Sequence, residues 1–238
     1  MTAMRGVDLT IVIPVYTEAS TIGGVINGHA AVATSFGCTF EIVACDDGST
    51  DGTWAAMEAA TARVPVLRLL RNDGNRGIAE TMKRLYADAR STWVYFTPGD
   101  GQVPADALPI MWAAREGAAL VVGRRIPRRD PSSRILMAQI YSTVLRAIFR
   151  LSVHDIDSVK LYAVDEQRSL RVRSTSTFFE AEMLIALTRR HRLVREVDVP
   201  HRPRIAGQPK GVTPLGLLAA MRDLAWFTLT DLLGRSRR

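Results

Sequence analysis

Short apolar runs alternate with stretches of helical character along the first half of this chain, and that rhythm restricts the fold more than any other feature. Residues 9–13, 40–44, 64–70, 93–97 and 119–122 are rich in Val, Ile and aromatic side chains, which suit strands buried in a sheet. Residues 19–34, 51–62, 76–90 and 104–116 separate them and read as helices. The second of these begins after Ser49-Thr50-Asp51, which offers N-cap oxygens. Strand–helix alternation of this kind predicts an α/β fold with a mostly parallel sheet flanked by helices on both faces.

The second half reads differently. Residues 124–134, RRIPRRDPSSR, hold five arginines, two prolines and two serines, the composition of a mobile basic loop. A helix is expected over 135–150, then an acidic turn at His154-Asp155-Ile156-Asp157, a helix over 178–191 and a strand at 197–199. A basic, proline-rich segment follows at 201–210. The last helix, 214–233, has Leu218, Met221, Ala225, Leu229 and Leu232 at helical spacing. Apolar stripes usually face a core, so that stripe is read as a packing face in preference to a membrane contact. The expectation is a single domain over 1–211, with an amphipathic C-terminal helix and basic tail over 212–238.

Composition narrows the classes. With 47% hydrophobic residues, the 238-residue chain can bury a core. Cys38 and Cys45 form no Cys-x-x-Cys pair, so neither a disulfide framework nor a thiolate metal site is expected. His154, His191 and His201 lack metal-ligand spacing. Residues 19–40 are uncharged but contain four glycines, Asn27 and His29, and 212–234 is interrupted by Arg222, Asp223 and Asp231, so no transmembrane span is expected. The opening MTAMRGVDLT leads directly into a strand rather than a signal peptide. A cytoplasmic protein, peripheral on the cytoplasmic membrane face, is the expectation. The net charge of +7 favours anionic partners. No nucleic-acid motif is present and aromatics are only 7%, so phosphorylated substrates and a membrane surface are preferred to nucleic acid.

Polar residues gather where such a sheet binds ligands, beyond the carboxyl ends of its strands. Pro14-Val15-Tyr16-Thr17-Glu18 follows the first strand, Asp46-Asp47-Gly48-Ser49 the second and Pro98-Gly99-Asp100-Gly101-Gln102 the fourth. Each run is also good turn chemistry. Neither G-x-x-x-x-G-K-[ST] nor a G-x-G-x-x-G after a strand occurs. A nucleotide here must therefore be held by carboxylates at base and ribose, and by a metal or arginines at the diphosphate.

At these residues the chain resembles the family 2 glycosyltransferases. VIPVYTEASTI is similar to the family's opening, ACDDGSTDGT to its second-strand signature, NRGIAETMKRLYADARSTWVYFTPGDGQ to its next block and VVGRR to its Gly-x-Arg. HDIDSVKLYAV, and the run from Phe178-Phe179-Glu180-Ala181-Glu182 to HRPRIAGQPKG, resemble later blocks of polyprenyl-phosphate sugar synthases of the dolichyl-phosphate mannose (or glucose) type. The likeness covers roughly residues 8–211 and implies the GT-A, Rossmann-like fold. It implies a nucleoside pocket lined by Pro14, Tyr16 and Glu18, with Asp47 on base or ribose and Asp46 and Gly99 in the same nucleotide-sugar site. It implies Mg²⁺ or Mn²⁺ on Asp100 and Gln102, and phosphate contacts from Arg125, Arg204 and Lys210. One departure stands out: Pro98 occupies the place of the first Asp in the family's Asp-x-Asp.

The reaction implied is transfer of a hexose from a UDP- or GDP-sugar with inversion. A lipid phosphate attacks as an anion, whereas a hydroxyl acceptor needs a positioned base. Asp155, Asp157 and Glu182 are candidates for that base or another catalytic role, alongside Asp100 and Arg125, but none stands out. A polyprenyl-phosphate-type acceptor is therefore favoured. Three alternatives stay open: transfer to a soluble hydroxyl acceptor, a non-catalytic sugar-nucleotide-binding protein, and a nucleotidyltransferase. The last normally carries a lysine-bearing phosphate loop, and residues 14–25 contain no Lys or Arg.

Overall fold

The computed structural model describes residues 6–204 and 214–235, with the backbone alone at 214–217 and 231–235. Seven strands form one sheet: β1 (Val7–Val15), β2 (Phe40–Asp46), β3 (Leu67–Arg71), β4 (Ser91–Phe96), β5 (Leu120–Arg125), β6 (Lys160–Ala163) and β7 (Val194–Val199). Their order is β3-β2-β1-β4-β6-β5-β7. All pairings are parallel except those of β6, which runs antiparallel to both β4 and β5.

The apolar runs explain this arrangement. β1 alternates its contacts between the faces: Leu9, Ile11 and Ile13 enter one core and Val12 the other. A strand buried on both faces reads as a continuous apolar run. On one face lie α1 (Ile22–Thr34), α2 (Thr53–Thr61) and α4 (Ala107–Ala113), through Ile22, Ile26, Met57, Leu108 and Met111. On the other lie α3 (Ile78–Asp88), α5 (Ser132–Phe149), α7 (Phe178–Arg189) and α8 (Pro214–Arg235), through Leu85, Tyr86, Leu145, Phe178 and Ala220. A short α6 (Val164–Arg168) follows β6.

The expected elements are present with shifted ends. Val64 is not in β3; its N–H closes the turn after α2 on the Ala60 carbonyl. Asp51 Oδ1 accepts the Thr53 N–H at 3.0 Å, so the capping oxygen belongs to the residue just before the cap position. β6 has no counterpart in the sequence reading, because a four-residue strand opening on Lys160 lacks a strand-like pattern. Lys160 is nevertheless fully buried, 3.2 Å from Glu180, which also accepts the hydroxyls of Tyr86 and Tyr162. The α8 stripe expected to pack is on the other face: Leu218, Met221, Ala225 and Leu229 are exposed, while Ala220, Leu224 and Phe227 pack into the core.

The order of strands reverses at β1, with β2 on one side and β4 on the other. Crevices at such switch points are where open α/β sheets bind ligands.

Candidate active site

The near wall of the crevice is built by stitching the β1 loop to the β2 loop. Thr17 takes a left-handed conformation, φ 51°, which turns the chain sharply after the strand. Its N–H donates to Ser49 Oγ at 2.8 Å, and the Glu18 N–H donates to Thr53 Oγ1 at 2.8 Å. Gly48 sits at φ +74°, and a Cβ there would lie 2.5 Å from the Gly74 carbonyl carbon. Only glycine allows that approach. It lets Asp47 grip the 72–77 loop. Asp47 Oδ1 accepts from Asn72 Nδ2 (2.7 Å) and the Arg76 N–H (2.9 Å), and Oδ2 accepts from the Gly77 N–H (2.9 Å). Asp46 is fully buried; it accepts the Ser49 N–H at 3.0 Å, and Arg71 Nε lies 3.2 Å from its other oxygen. Pro14 is buried beneath, and Tyr16 is exposed at the rim.

The opposite wall follows β4. Thr21 Oγ1 donates to the Gly99 carbonyl at 2.9 Å, and Gly99 lies against Pro14. Asp100 Oδ1 accepts the Gln102 N–H at 3.0 Å. Arg204, arriving from beyond β7, places its guanidinium between the walls. Nη1 and Nη2 donate to Glu18 Oε1 at 3.1 and 2.8 Å, and Nη1 stands 3.6 Å from Asp100 Oδ2. Among the described residues, Arg204 Nε is buried and has no hydrogen-bond partner. An unmet buried donor costs about 1–3 kcal/mol.

The donor set for a divalent cation is thin. Pro98 has no side-chain oxygen. The Gln102 amide nitrogen faces the basic loop, 3.5 Å from Asp130 Oδ1, at the outer limit of a hydrogen bond. Asp100 is already faced by Arg204. Among the described residues, no group of three or more His, Cys, Asp or Glu gathers as a metal site. Asp100 and Gln102 therefore do not by themselves fit the ion that the resemblance implies.

Beyond Gln102 the ionic run continues. Arg125 meets Asp155 through two parallel hydrogen bonds and donates to the Asp157 carbonyl at 2.6 Å. Arg128 bonds Asp130 at 2.8 Å and lies 3.4 Å from Asp155, and Arg134 lies 3.4 Å from Asp130. Burial works to raise the Asp155 pKa, but the Arg125 and Arg128 guanidiniums hold it below the usual carboxylate range. Asp130 is lowered in the same way, burial being outweighed by Arg128, Arg134 and Arg125. The basic loop is thus pinned at its centre, and the Arg129 N–H also donates to His201 Nδ1 at 2.9 Å. Burial, then the charge of Arg125, push the His201 pKa down, consistent with a ring nitrogen that accepts.

The structure therefore brings Pro14, Tyr16, Glu18, Asp46, Asp47, Gly99, Asp100, Gln102 and Arg204 to one crevice, with Arg125 and Asp155 along its continuation. The Asp157 carboxylate is exposed beside Arg125. Glu182 is engaged elsewhere: it accepts the Arg173 and Ser174 N–H groups and the Ser174 hydroxyl, in a small recess with Asp223 and Trp226. Lys210 lies outside the described residues. Asn72, the individual parts of the 75–77 backbone, Arg128, Asp130 and His201 were not among the expected site residues. Asn72 and the glycine at 77 had a signal in their nearness to the family block beginning at Asn75. His201 had none.

Comparisons with known proteins agree with this architecture. The family model described as Glycosyl transferase family 2 matches residues 10–179. The undecaprenyl-phosphate 4-deoxy-4-formamido-L-arabinose transferase of Pseudomonas paraeruginosa is 28% identical over 228 residues, covering 92% of this chain and 64% of that protein. The chain thus spans just under two thirds of that relative's length. The dodecaprenyl-phosphate galacturonate synthase of Rhizobium johnstonii is 28% identical over 130 residues, 53% of this chain and 38% of that protein. In fold, the chain is similar to glucosyl-3-phosphoglycerate synthase from Mycobacterium tuberculosis in complex with Mn²⁺, UDP and glucosyl-3-phosphoglycerate. The TM-score is 0.70 at 20% identity, covering 95% of this chain and 80% of that one. With its switch-point crevice and a family match over most of its length, this chain belongs to glycosyl transferase family 2.

Proposed function

We propose that the chain is a hexosyltransferase that moves a sugar from a nucleotide-diphosphate donor to a polyprenyl-phosphate-type acceptor, with inversion. The observation that carries this is the gathering of loops at the ends of β1, β2 and β4, where Glu18 and Asp100 share Arg204 and Asp47 braces the adjoining 72–77 loop. Carboxylates at one end suit a nucleoside's donors, and guanidiniums suit phosphates, which they can grip in a fork. Pro14, Tyr16, Glu18 and Asp47 would hold the nucleoside, Gly99 the close backbone approach and Arg204 the diphosphate, with Lys210 as a further phosphate contact.

The acceptor phosphate oxygen would attack the anomeric carbon from the face opposite the diphosphate. The new C–O bond forms as the bond from C1 to the β-phosphate oxygen breaks, and the nucleoside diphosphate leaves with the electron pair. No proton has to be removed, so no general base is required. Asp155 then has a positioning task, holding Arg125 and Arg128 along the acceptor side, and the exposed Asp157 shapes the approach.

A lipid acceptor accords with the surface. Along α5, Leu136, Met137, Ile140, Val144 and Ile148 are exposed, and α8 adds Leu218, Met221, Trp226 and Leu229. The two helices meet where Phe149 packs on Phe227. Arg134, Arg146 and Arg150 interrupt or end the α5 stripe. Apolar residues flanked by cations match an anionic bilayer surface, with peripheral association on the cytoplasmic face as the expected placement. No helix among the described residues is long and apolar enough to cross a membrane.

The test is transfer. Purified protein is incubated with labelled UDP- or GDP-hexoses and undecaprenyl phosphate in detergent, with and without Mn²⁺. Label entering the organic phase with equal release of nucleoside diphosphate is the expected result. Label passing only to water-soluble alcohols would favour the soluble-acceptor reading. Binding without transfer or hydrolysis would favour a non-catalytic sugar-nucleotide-binding protein.

A further inference from the structure

The geometry points to Arg204 as the cation that meets the donor's diphosphate, in place of a carboxylate-held divalent ion. This rests on the nucleotide-sugar reading of the crevice and goes beyond it by assigning the counter-charge to the chain itself.

Three observations converge. First, the acidic pair needed to hold an ion is not there. Pro98 supplies no side-chain oxygen, and Gln102 is turned toward Asp130. Second, the carboxylates beside Arg204 and the basic loop already have cationic partners. Glu18 and Asp100 share Arg204, Asp130 has Arg128 and Arg134, and Asp155 has Arg125 and Arg128. A divalent ion arriving at Asp100 would meet the Arg204 guanidinium already 3.6 Å from Oδ2. Third, Arg204 has a donor to spare. Its side chain is 14% exposed and held by Glu18 and Asp100 through the two Nη atoms, while Nε is buried without an acceptor among the described residues. The edge of the fork that is left over is the edge a phosphate oxygen can take. A guanidinium stays charged at any working pH, so it can stabilise the leaving diphosphate as that charge develops.

The arrangement also assigns Asp100 a task. It orients Arg204 from the β4 side while Glu18 holds it from the β1 side, so the cation sits at the sheet's switch point. Asp100 is then a positioning residue for the guanidinium.

The experiment is calorimetric titration of the full chain with UDP, GDP and their hexose conjugates, in EDTA and again in Mn²⁺. At least one nucleotide should bind in EDTA, with affinity changed less than about three-fold by Mn²⁺. Arg204→Gln should lower affinity in EDTA by about ten-fold or more. Should that variant fail to fold, Arg204→Lys keeps the charge but loses the fork and the Nε–H, and a several-fold loss in EDTA carries the same conclusion. Pro98→Asp should convert the protein to one whose nucleotide affinity rises with Mn²⁺. Wild-type binding that appears only with Mn²⁺, or full affinity in both Arg204 variants, overturns the inference and leaves the nucleotide reading standing. No binding of any nucleotide under either condition overturns the nucleotide reading, and the inference with it.

Discussion

Arg125 and Asp155 meet side on, with Nε donating to Oδ2 at 2.8 Å and Nη2 to Oδ1 at 2.7 Å, and both side chains are largely shielded from water. A pair in this state is more costly to break than to lack, because removing one partner strands the other charge in a poorly solvated place. Arg125→Ala should therefore destabilise the fold by about 3 kcal/mol. Arg125→Lys should retain part of that, since a lysine cannot make both bonds. Denaturant unfolding of the two variants checks this; equal stability of Arg125→Ala and the wild type would show that Asp155 finds other partners.

Acid should act through the same pair. The Asp155 pKa is held below its ordinary value despite burial, by Arg125 first and Arg128 next, and Asp130 shifts in the same direction. A carboxylate whose folded pKa is depressed contributes stability above its unfolded pKa, roughly 4, and loses it as pH falls through the folded value. Stability attributable to these groups should be level from pH 7 to about 5 and fall below about 4. Unfolding measured across that range for wild type and Asp155→Asn gives the test: the variant should lose less stability on acidification, and parallel curves would remove Asp155 from the acid response.

Asp47 carries two loads. Its three hydrogen bonds to Asn72, Arg76 and Gly77 hold the 72–77 loop against Gly48. Asp47→Ala leaves those donors without their acceptor and should cost about 1–3 kcal/mol in stability. It should also weaken nucleotide binding. Asp47→Asn keeps an acceptor and should recover stability in part. Thermal melts paired with UDP and GDP titrations separate the loads; a variant that is destabilised yet binds with wild-type affinity would leave Asp47 as a loop brace alone.

The exposed stripe on α5 should mediate contact with anionic bilayers. Flotation with phosphatidylglycerol vesicles should recover the wild type at low salt, weakened as salt rises, since each Lys or Arg near such a surface contributes about 1 kcal/mol. Leu136→Glu combined with Ile140→Glu changes only exposed positions and should abolish flotation while the melting temperature holds. Flotation by the double variant would move the contact to another face.

Which parts of this were legible beforehand follows from where the information lies. β1, β2 and β4 announce themselves because strands inside the sheet, covered on both faces, need apolar runs. β6 does not, because Lys160 is reconciled with burial only by Glu180, Tyr86 and Tyr162, from distant elements. The crevice loops were readable because ligand sites follow strand ends. The grip of Asp47 on a loop 25 or more residues away was not, and neither was the meeting of Arg204 with Glu18 across a separation of 186 residues. The ties that pin Arg124–Arg134 were hidden because they run to distant residues: Arg125 and Arg128 to Asp155, and the Arg129 N–H to His201.

The antiparallel strand at the middle of the sheet also bears on how the chain is made. β3, β2, β1 and β4 come from residues 7–96 and pair with one another through local crossovers. β5 is synthesised next, but its place beside β4 is filled by β6, which arrives only with residues 160–163. Until then β4 is an open edge and β5 has no strand to join. Pairings of long sequence separation are the costly ones to close, so β6 is expected to join β4 and β5 after the portion from residues 7–96 has paired, an order that pulse-labelling hydrogen exchange during refolding would read. A strand of four residues around Lys160 thereby ties the portion built from residues 7–96 to β5 and β7.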